Sequence, residues 1–179
     1  MPLLSIQQSR FAYFADFGVY GVCVAALAAF LGLAAPHALQ WQLVAWALGG
    51  LGGWTLIEYG LHRFVLHRLP PFQAMHELHH RHPHDYIGTP TCVTLTLFVV
   101  LAFLPAWWLA NLWIASALSL GLLLGYIAYS MTHHAAHHSR SSSEWMKRRK
   151  RLHGLHHQRG HTHHYGVSTS LWDHVFRTA

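Results

Sequence analysis

The sequence predicts an all-α integral membrane protein, with four transmembrane helices and a cytosolic helical cap holding a histidine-rich dimetal site. Three observations point there. Of 179 residues, 53% are apolar and only 10% charged, with a mean hydropathy of +0.22, whereas about a quarter of a soluble domain is charged. Uncharged runs cover residues 17–35, 36–57 and 87–132, and about 20 apolar residues suffice to cross a bilayer. There are 19 histidines, all but His37 confined to residues 62–84 and 133–174.

The runs predict helices over 14–34, 40–60, 91–109 and 112–131. The last run is long enough for two crossings, and its break falls in LPAWWLANLW. There Pro105 and Asn111 interrupt the helical pattern and three tryptophans suit a membrane interface. Gly52, Gly53 and Gly60 would let the second helix pack closely on a neighbour. The first run is read as a membrane helix rather than a cleavable signal, being long and lacking a small-residue cleavage pattern. The whole of 1–179 reads as a single membrane domain. Cys23 and Cys92 lie far apart in apolar runs, which gives neither a disulfide framework nor a thiolate site.

Charge fixes the expected topology, because Lys and Arg concentrate in cytoplasmic segments. Arg10 precedes the first helix, and Arg63, Arg68 and Arg81 separate the second from the third. Arg140, Lys147, Arg148, Arg149, Lys150, Arg151, Arg159 and Arg177 follow the fourth. All 12 cationic side chains therefore fall on one face, with the N- and C-termini and both histidine blocks. The run KRRKR suits anionic lipid headgroups. No recognition module accompanies it, so no nucleic-acid partner is expected.

The first block contains His62-x4-His67 and then HELHH, with His76, His79 and His80 at i, i+3 and i+4, a spacing that puts all three on one helix face toward a common centre. The second block repeats this arrangement. It has a pair one turn apart, His133/His137 or His134/His138, and then His153, His156 and His157 in HGLHH. Read as H-E-x-x-H, the first motif would instead be a zinc-protease signature with Glu77 as base, a reading that leaves the second block unexplained. Ten imidazoles exceed what one ion takes, so two ions are expected, and imidazole suits iron, zinc, copper and nickel. Glu58, Asp85 and Asp173 are expected either to accept ring N–H bonds from these histidines or, for Glu58, to pair with Arg63 and, for Asp173, to anchor the WD turn. Trp172 is expected to pack. His82, His84, His161, His163, His164 and His174 are expected at the surface.

EYGLHRFVLH, HELHHRHPHD, YSMTHHAAHH and HGLHH, with the closing GVSTSLWDHVFRT, resemble the motifs of the fatty acid hydroxylase/sterol desaturase superfamily, most closely its fatty acid 2-hydroxylase branch. The resemblance spans about 54–178. It implies a membrane hydroxylase domain whose two metals are iron in the working enzyme, with zinc able to substitute on purification. It also implies hydroxylation of a lipid acyl chain from the bilayer by molecular oxygen. The Y-x-M-T-H frame favours His133 and His137 over their neighbours. The implied metal ligands are His62, His67, His76, His79, His80, His133, His137, His153, His156 and His157.

Two departures stand out. Eight residues separate His67 from His76, a compactness resembling carotenoid hydroxylases, and Ser130 stands where the third motif has an aspartate. A carotenoid or sterol hydroxylase or desaturase is the alternative within the superfamily. No dinucleotide-binding turn or haem-attachment motif is visible, so a separate electron donor is expected, a b-type cytochrome or a ferredoxin with its reductase. The membrane would be the inner membrane of a bacterium or the endoplasmic reticulum of a eukaryote.

Overall fold

In the computed structural model, residues 7–158 and 162–179 are described; Arg159 and His161 lie outside them. Every regular element among them is helical. The only pairing of extended backbone there is one antiparallel bridge, Gln7 to Ile87. In chain order come α1 (Arg10–Ala34), a short 3₁₀ turn (His37–Leu39) and α2 (Gln40–Gly60), which continues as a π-helical turn (Leu61–Leu66). There follow α3 (Phe72–Arg81), α4 (Thr91–Phe98), a second π turn (Val99–Phe103), α5 (Leu104–Leu109), α6 (Leu112–His138), α7 (Glu144–His156) and α8 (Leu171–Val175).

Among the described residues, three stretches are long and apolar enough to cross a membrane: Arg10–Ala34, Thr91–Leu109 and Leu112–His138. The helix expected over 40–60 forms with those bounds. Gln40, Gln42, Glu58 and a run of glycines dilute its hydropathy, so it is long enough to cross a membrane but is not among those three. The expected break after the third span falls at Ala110, where α5 ends. Asn111 then starts α6, its side-chain oxygen accepting the Ile114 amide at 2.9 Å. The last helix overruns its expected end at 131 and reaches His138.

The chain divides into two compact units, Met1–Trp54 with Tyr86–Ile127, and Thr55–Asp85 with Ala128–Ala179. In the first, α2 and α6 cross with backbones nearly touching. A Cβ on Gly121 would overlap the Ala47 carbonyl, one on Gly50 the Leu118 carbonyl, and one on Gly125 the Trp54 side chain. Gly52, Gly53 and Gly60 have nothing within 4 Å of such a Cβ. The sequence expectation therefore had the right helix and the wrong glycines, because composition does not say which face of α2 meets α6. Around this crossing, Tyr126 packs edge-on against Tyr20 at 4.7 Å and Trp54 at 5.3 Å. Large apolar side chains point outward, Leu33 being 90% and Trp108 86% exposed, which suits lipid and would be costly in water.

The second unit carries both histidine blocks. Ser143 caps α7 by accepting the Met146 amide at 3.3 Å, with Glu144 in the first turn, where a carboxylate favours the helix dipole. Residues 163–170 lead into α8.

Candidate metal centre

An α-helix rotates by about 100° per residue, so His62 and His67, five apart, would point about 140° away from each other. The π turn removes that conflict, because its i→i+5 repeat brings the fifth residue back over the first. The two rings lie 5.1 Å apart, centroid to centroid. The H-x4-H spacing was the available signal for this turn.

Within this unit ten histidines form two groups of five: His62, His67, His76, His80 and His156, and His79, His133, His137, His153 and His157. Each residue offers one ring nitrogen, and the nitrogens of a group all lie within 4.8 Å of one another. These are the ten singled out by the sequence, arranged differently from expected. Neither HxxHH serves a common centre. His76 and His80 of α3 enter the first group while His79 enters the second; on α7 and its C-cap, His153 and His157 enter the second and His156 the first. Residues i and i+4 sit over one another along a helix, whereas i+3 falls to the other side of that line, so one motif can feed two adjacent points. Each group thus takes a spaced pair, an i,i+4 pair and one histidine from the other motif. The His80 and His157 rings stack between the groups, 4.1 Å apart and 7° from parallel.

His134 and His138 stay outside both groups and stack on each other at 4.6 Å. Side chains of His82, His84, His163 and His174 are exposed, and that of His164 is half-buried.

In the first group, His62 Nε2 is 2.9 Å from His76 Nε2, His76 Nε2 is 3.0 Å from His80 Nε2, and His67 Nε2 is 2.9 Å from His156 Nε2. In the second, His79–His133, His137–His153 and His153–His157 give 3.0, 2.8 and 3.0 Å between Nε2 atoms. Nitrogens about 2.1 Å from a shared ion lie about 3.0 Å apart at right angles and about 4.2 Å apart across it, so both groups have the dimensions of an ion's donor set.

Tautomers point the same way. His62 Nδ1 lies 2.5 Å from the Tyr165 carbonyl and His156 Nδ1 lies 2.8 Å from the His163 carbonyl. A carbonyl only accepts, so each Nδ1 carries the proton and each Nε2 presents its lone pair to the group. Two Nε2 lone pairs of the first group are thus free to take a cation. Burial, reinforced by neighbouring histidines, holds His62, His76 and His153 well below the ordinary imidazole range. The same causes lower His79 to about 2 and His80 and His157 to about 3. These rings stay uncharged at neutral pH, as metal binding requires, so the donor set fits the iron expected from the sequence and equally the zinc that can replace it.

The supporting carboxylates depart from expectation. Glu58 is buried and accepts the Val167 and Ser168 amides at 2.7 and 2.8 Å, and the Ser168 hydroxyl. Asp173 accepts the amides of Tyr165 and Gly166, both at 2.9 Å, and the Thr178 hydroxyl at 2.8 Å. Both bind backbone amides rather than histidine rings. Arg63 donates to the Tyr59 hydroxyl at 2.6 Å rather than pairing with Glu58. Trp172 packs on Phe176 and donates to Thr55 Oγ1 at 2.9 Å. Glu77, the base of the protease reading, is 56% exposed and pairs with Arg81 at 3.1 Å on the surface.

Residues 46–178 match the family model described as "Fatty acid hydroxylase". The chain belongs to the fatty acid hydroxylase family. It is 36% identical to dihydroceramide fatty acyl 2-hydroxylase FAH2 of Arabidopsis thaliana, over 72% of this chain and 58% of that protein. To fatty acid 2-hydroxylase of Rattus norvegicus it is 34% identical, over 70% of this chain and 37% of that protein. Among solved structures, full-length scs7p, with only the hydroxylase domain visible, is similar at a TM-score of 0.76 and 31% identity, covering 93% of this chain and 66% of that one. The family member thus spans between about a third and three fifths of these curated relatives.

Proposed function

We propose that the protein is a membrane di-iron monooxygenase that hydroxylates a lipid acyl chain, at carbon 2 by analogy with the relatives' names. The observation that carries this is the pair of five-histidine groups in a chain of this family. In this reading the ten grouped histidines are the metal ligands, five to each ion, with His133 and His137 rather than His134 and His138 serving the third motif. Bound iron would supply the activation of molecular oxygen. The chain supplies uncharged nitrogen donors and fixes the ring orientations of His62 and His156. One oxygen atom enters a C–H bond and the other leaves as water, which takes two electrons and two protons per turnover. Those electrons come from a separate b-type cytochrome, or from a ferredoxin with its reductase.

In the same reading the helices over 14–34, 40–60, 91–109 and 112–131 all cross the membrane. The histidine-bearing helices form a cytosolic cap, both termini face the cytoplasm, and the substrate arrives from the bilayer. The uniform side of the 12 cationic residues supports that orientation.

The test is expression in a host of defined lipids with a reductase supplied, followed by mass spectrometry. One added oxygen per acyl chain is expected with the wild type and none with His79→Ala. An unchanged lipid profile in both would overturn the proposal.

A further inference from the structure

The segment from His163 to Ser168 touches the first histidine group through two backbone carbonyls and through the Tyr165 ring, which lies 5.3, 5.5 and 5.8 Å from the His156, His67 and His62 rings. His62 and His156 donate to the carbonyls of Tyr165 and His163. A trans peptide is planar, and its C=O and N–H point in opposite directions. The peptide whose carbonyl receives His62 is therefore the one whose other end, the Gly166 amide, donates to Asp173 Oδ2 at 2.9 Å. Asp173 Oδ1 holds the preceding amide, that of Tyr165, also at 2.9 Å. Two residues on, Glu58 Oε1 takes the Val167 and Ser168 amides. Glu58 itself sits on α2 one turn before His62, so the path from α2 through the segment returns to its starting helix. Both carboxylates are buried, at 3% and 1% exposure, and neither belongs to an ion pair among the described residues.

Among the described residues, the second group has no such arrangement. There the Nδ1 atoms of His79, His153 and His157 are buried without a hydrogen-bond partner.

We infer that Asp173 and Glu58 are positioning residues that set the tautomer and aim of His62 and, through the same segment and Thr178, whose carbonyl takes the His164 amide and whose hydroxyl donates to Asp173, those of His156, making the first metal site selectively dependent on residues 163–168. This rests on the reading of that group as a metal site. The two carboxylates should answer differently to amide substitution. In Glu58→Gln, Oε1 keeps both backbone amides, and the new NH₂ faces the Ser168 hydroxyl, which can turn and accept. In Asp173→Asn both original oxygens faced backbone amides, so one N–H always meets an NH₂ and loses its acceptor.

The experiment is chelator competition on the purified, metal-loaded full chain. Altering the groups that orient a ligating histidine typically costs 10–100-fold in metal affinity. Asp173→Asn and Glu58→Ala should each release one ion at about 10–100-fold lower chelator concentration, while the second ion and Glu58→Gln behave as wild type. Both ions loosening together, neither loosening, or Glu58→Gln failing like Glu58→Ala would overturn the inference.

A wild type holding fewer than two ions would instead count against the metal reading. The inference is then read from ¹⁵N spectra of histidine-labelled protein. His62 and His156 should carry the proton at Nδ1 in wild type and Glu58→Gln, and mix tautomers in Asp173→Asn and Glu58→Ala. Identical spectra in all four would overturn it.

Discussion

The group around His76 and the group around His137 use the same inventory, a spaced pair, an i,i+4 pair and one borrowed histidine, yet they are held in different ways. Backbone carbonyls of a C-terminal segment grip two rings of the first from behind. The second takes all its rings from α3, α6 and α7, with three ring nitrogens buried and unpartnered. Helix packing alone is enough to gather five imidazoles. Fixing a tautomer takes an acceptor-only atom, and for His62 and His156 irregular backbone provides it.

The largest effects expected are those of removing a ring from either group. His76→Ala and His137→Ala should each abolish hydroxylated lipid, measured by mass spectrometry, because the reading needs both ions for one reaction. Product from either variant near the wild-type level would mean that one group is dispensable.

Two glycines separate the site from the scaffold. Gly166→Ala drives a Cβ into the Thr169 carbonyl, within 2.8 Å of Asp173 Oδ2, and overpacking of this kind costs about 1–3 kcal/mol. Its melting temperature should fall, and the first ion should loosen with it. Gly121→Ala meets the Ala47 backbone in the other unit and should cost a similar amount, with metal binding unchanged. Metal loss in both variants would show that the two units do not respond independently.

Acid should act on the metal-free protein. His79, desolvated by burial and crowded by His137 and His157, has its pKa lowered to about 2 when folded, whereas the unfolded chain takes up its proton near 6.5. Its contribution is whole above pH 6.5 and shrinks as pH falls toward the folded value, by about 1.4 kcal/mol per pH unit. Thermal melts of chelator-treated protein should therefore drop steadily below pH 6.5. A melting temperature flat from pH 7 to 5 would contradict the burial of these rings in the neutral form.

Glu77→Gln should have the smallest effect. An exposed i,i+4 pair contributes about 0–1 kcal/mol, and Glu77 lies away from both groups, so lipid product should match wild type. Loss of product would return Glu77 to the chemistry.

Eight of the ten histidines were legible from local spacing, His133 and His137 only from the resemblance of their Y-x-M-T-H frame, and the bounds of α2 from its uncharged run. The division of HELHH and HGLHH between two centres was not. Spacing shows that His76, His79 and His80 share a face, but the 100° step per residue selects a centre only once a neighbouring helix is in place. The roles of Glu58 and Asp173 were hidden for a related reason. Their partners are backbone amides more than a hundred residues away for Glu58 and eight or fewer for Asp173, and a backbone amide leaves no residue-type signature. The tight crossing likewise lies at Gly50 and Gly121, which composition does not distinguish from Gly52 and Gly53.

The number of metal ions per chain tests the central claim most directly, measured by elemental analysis of protein purified without chelator, with iron and zinc counted together. Two ions are predicted in the wild type and one in each of His76→Ala and His137→Ala. A single ion or none in the wild type, or loss of both from either variant, would contradict two separate five-histidine sites.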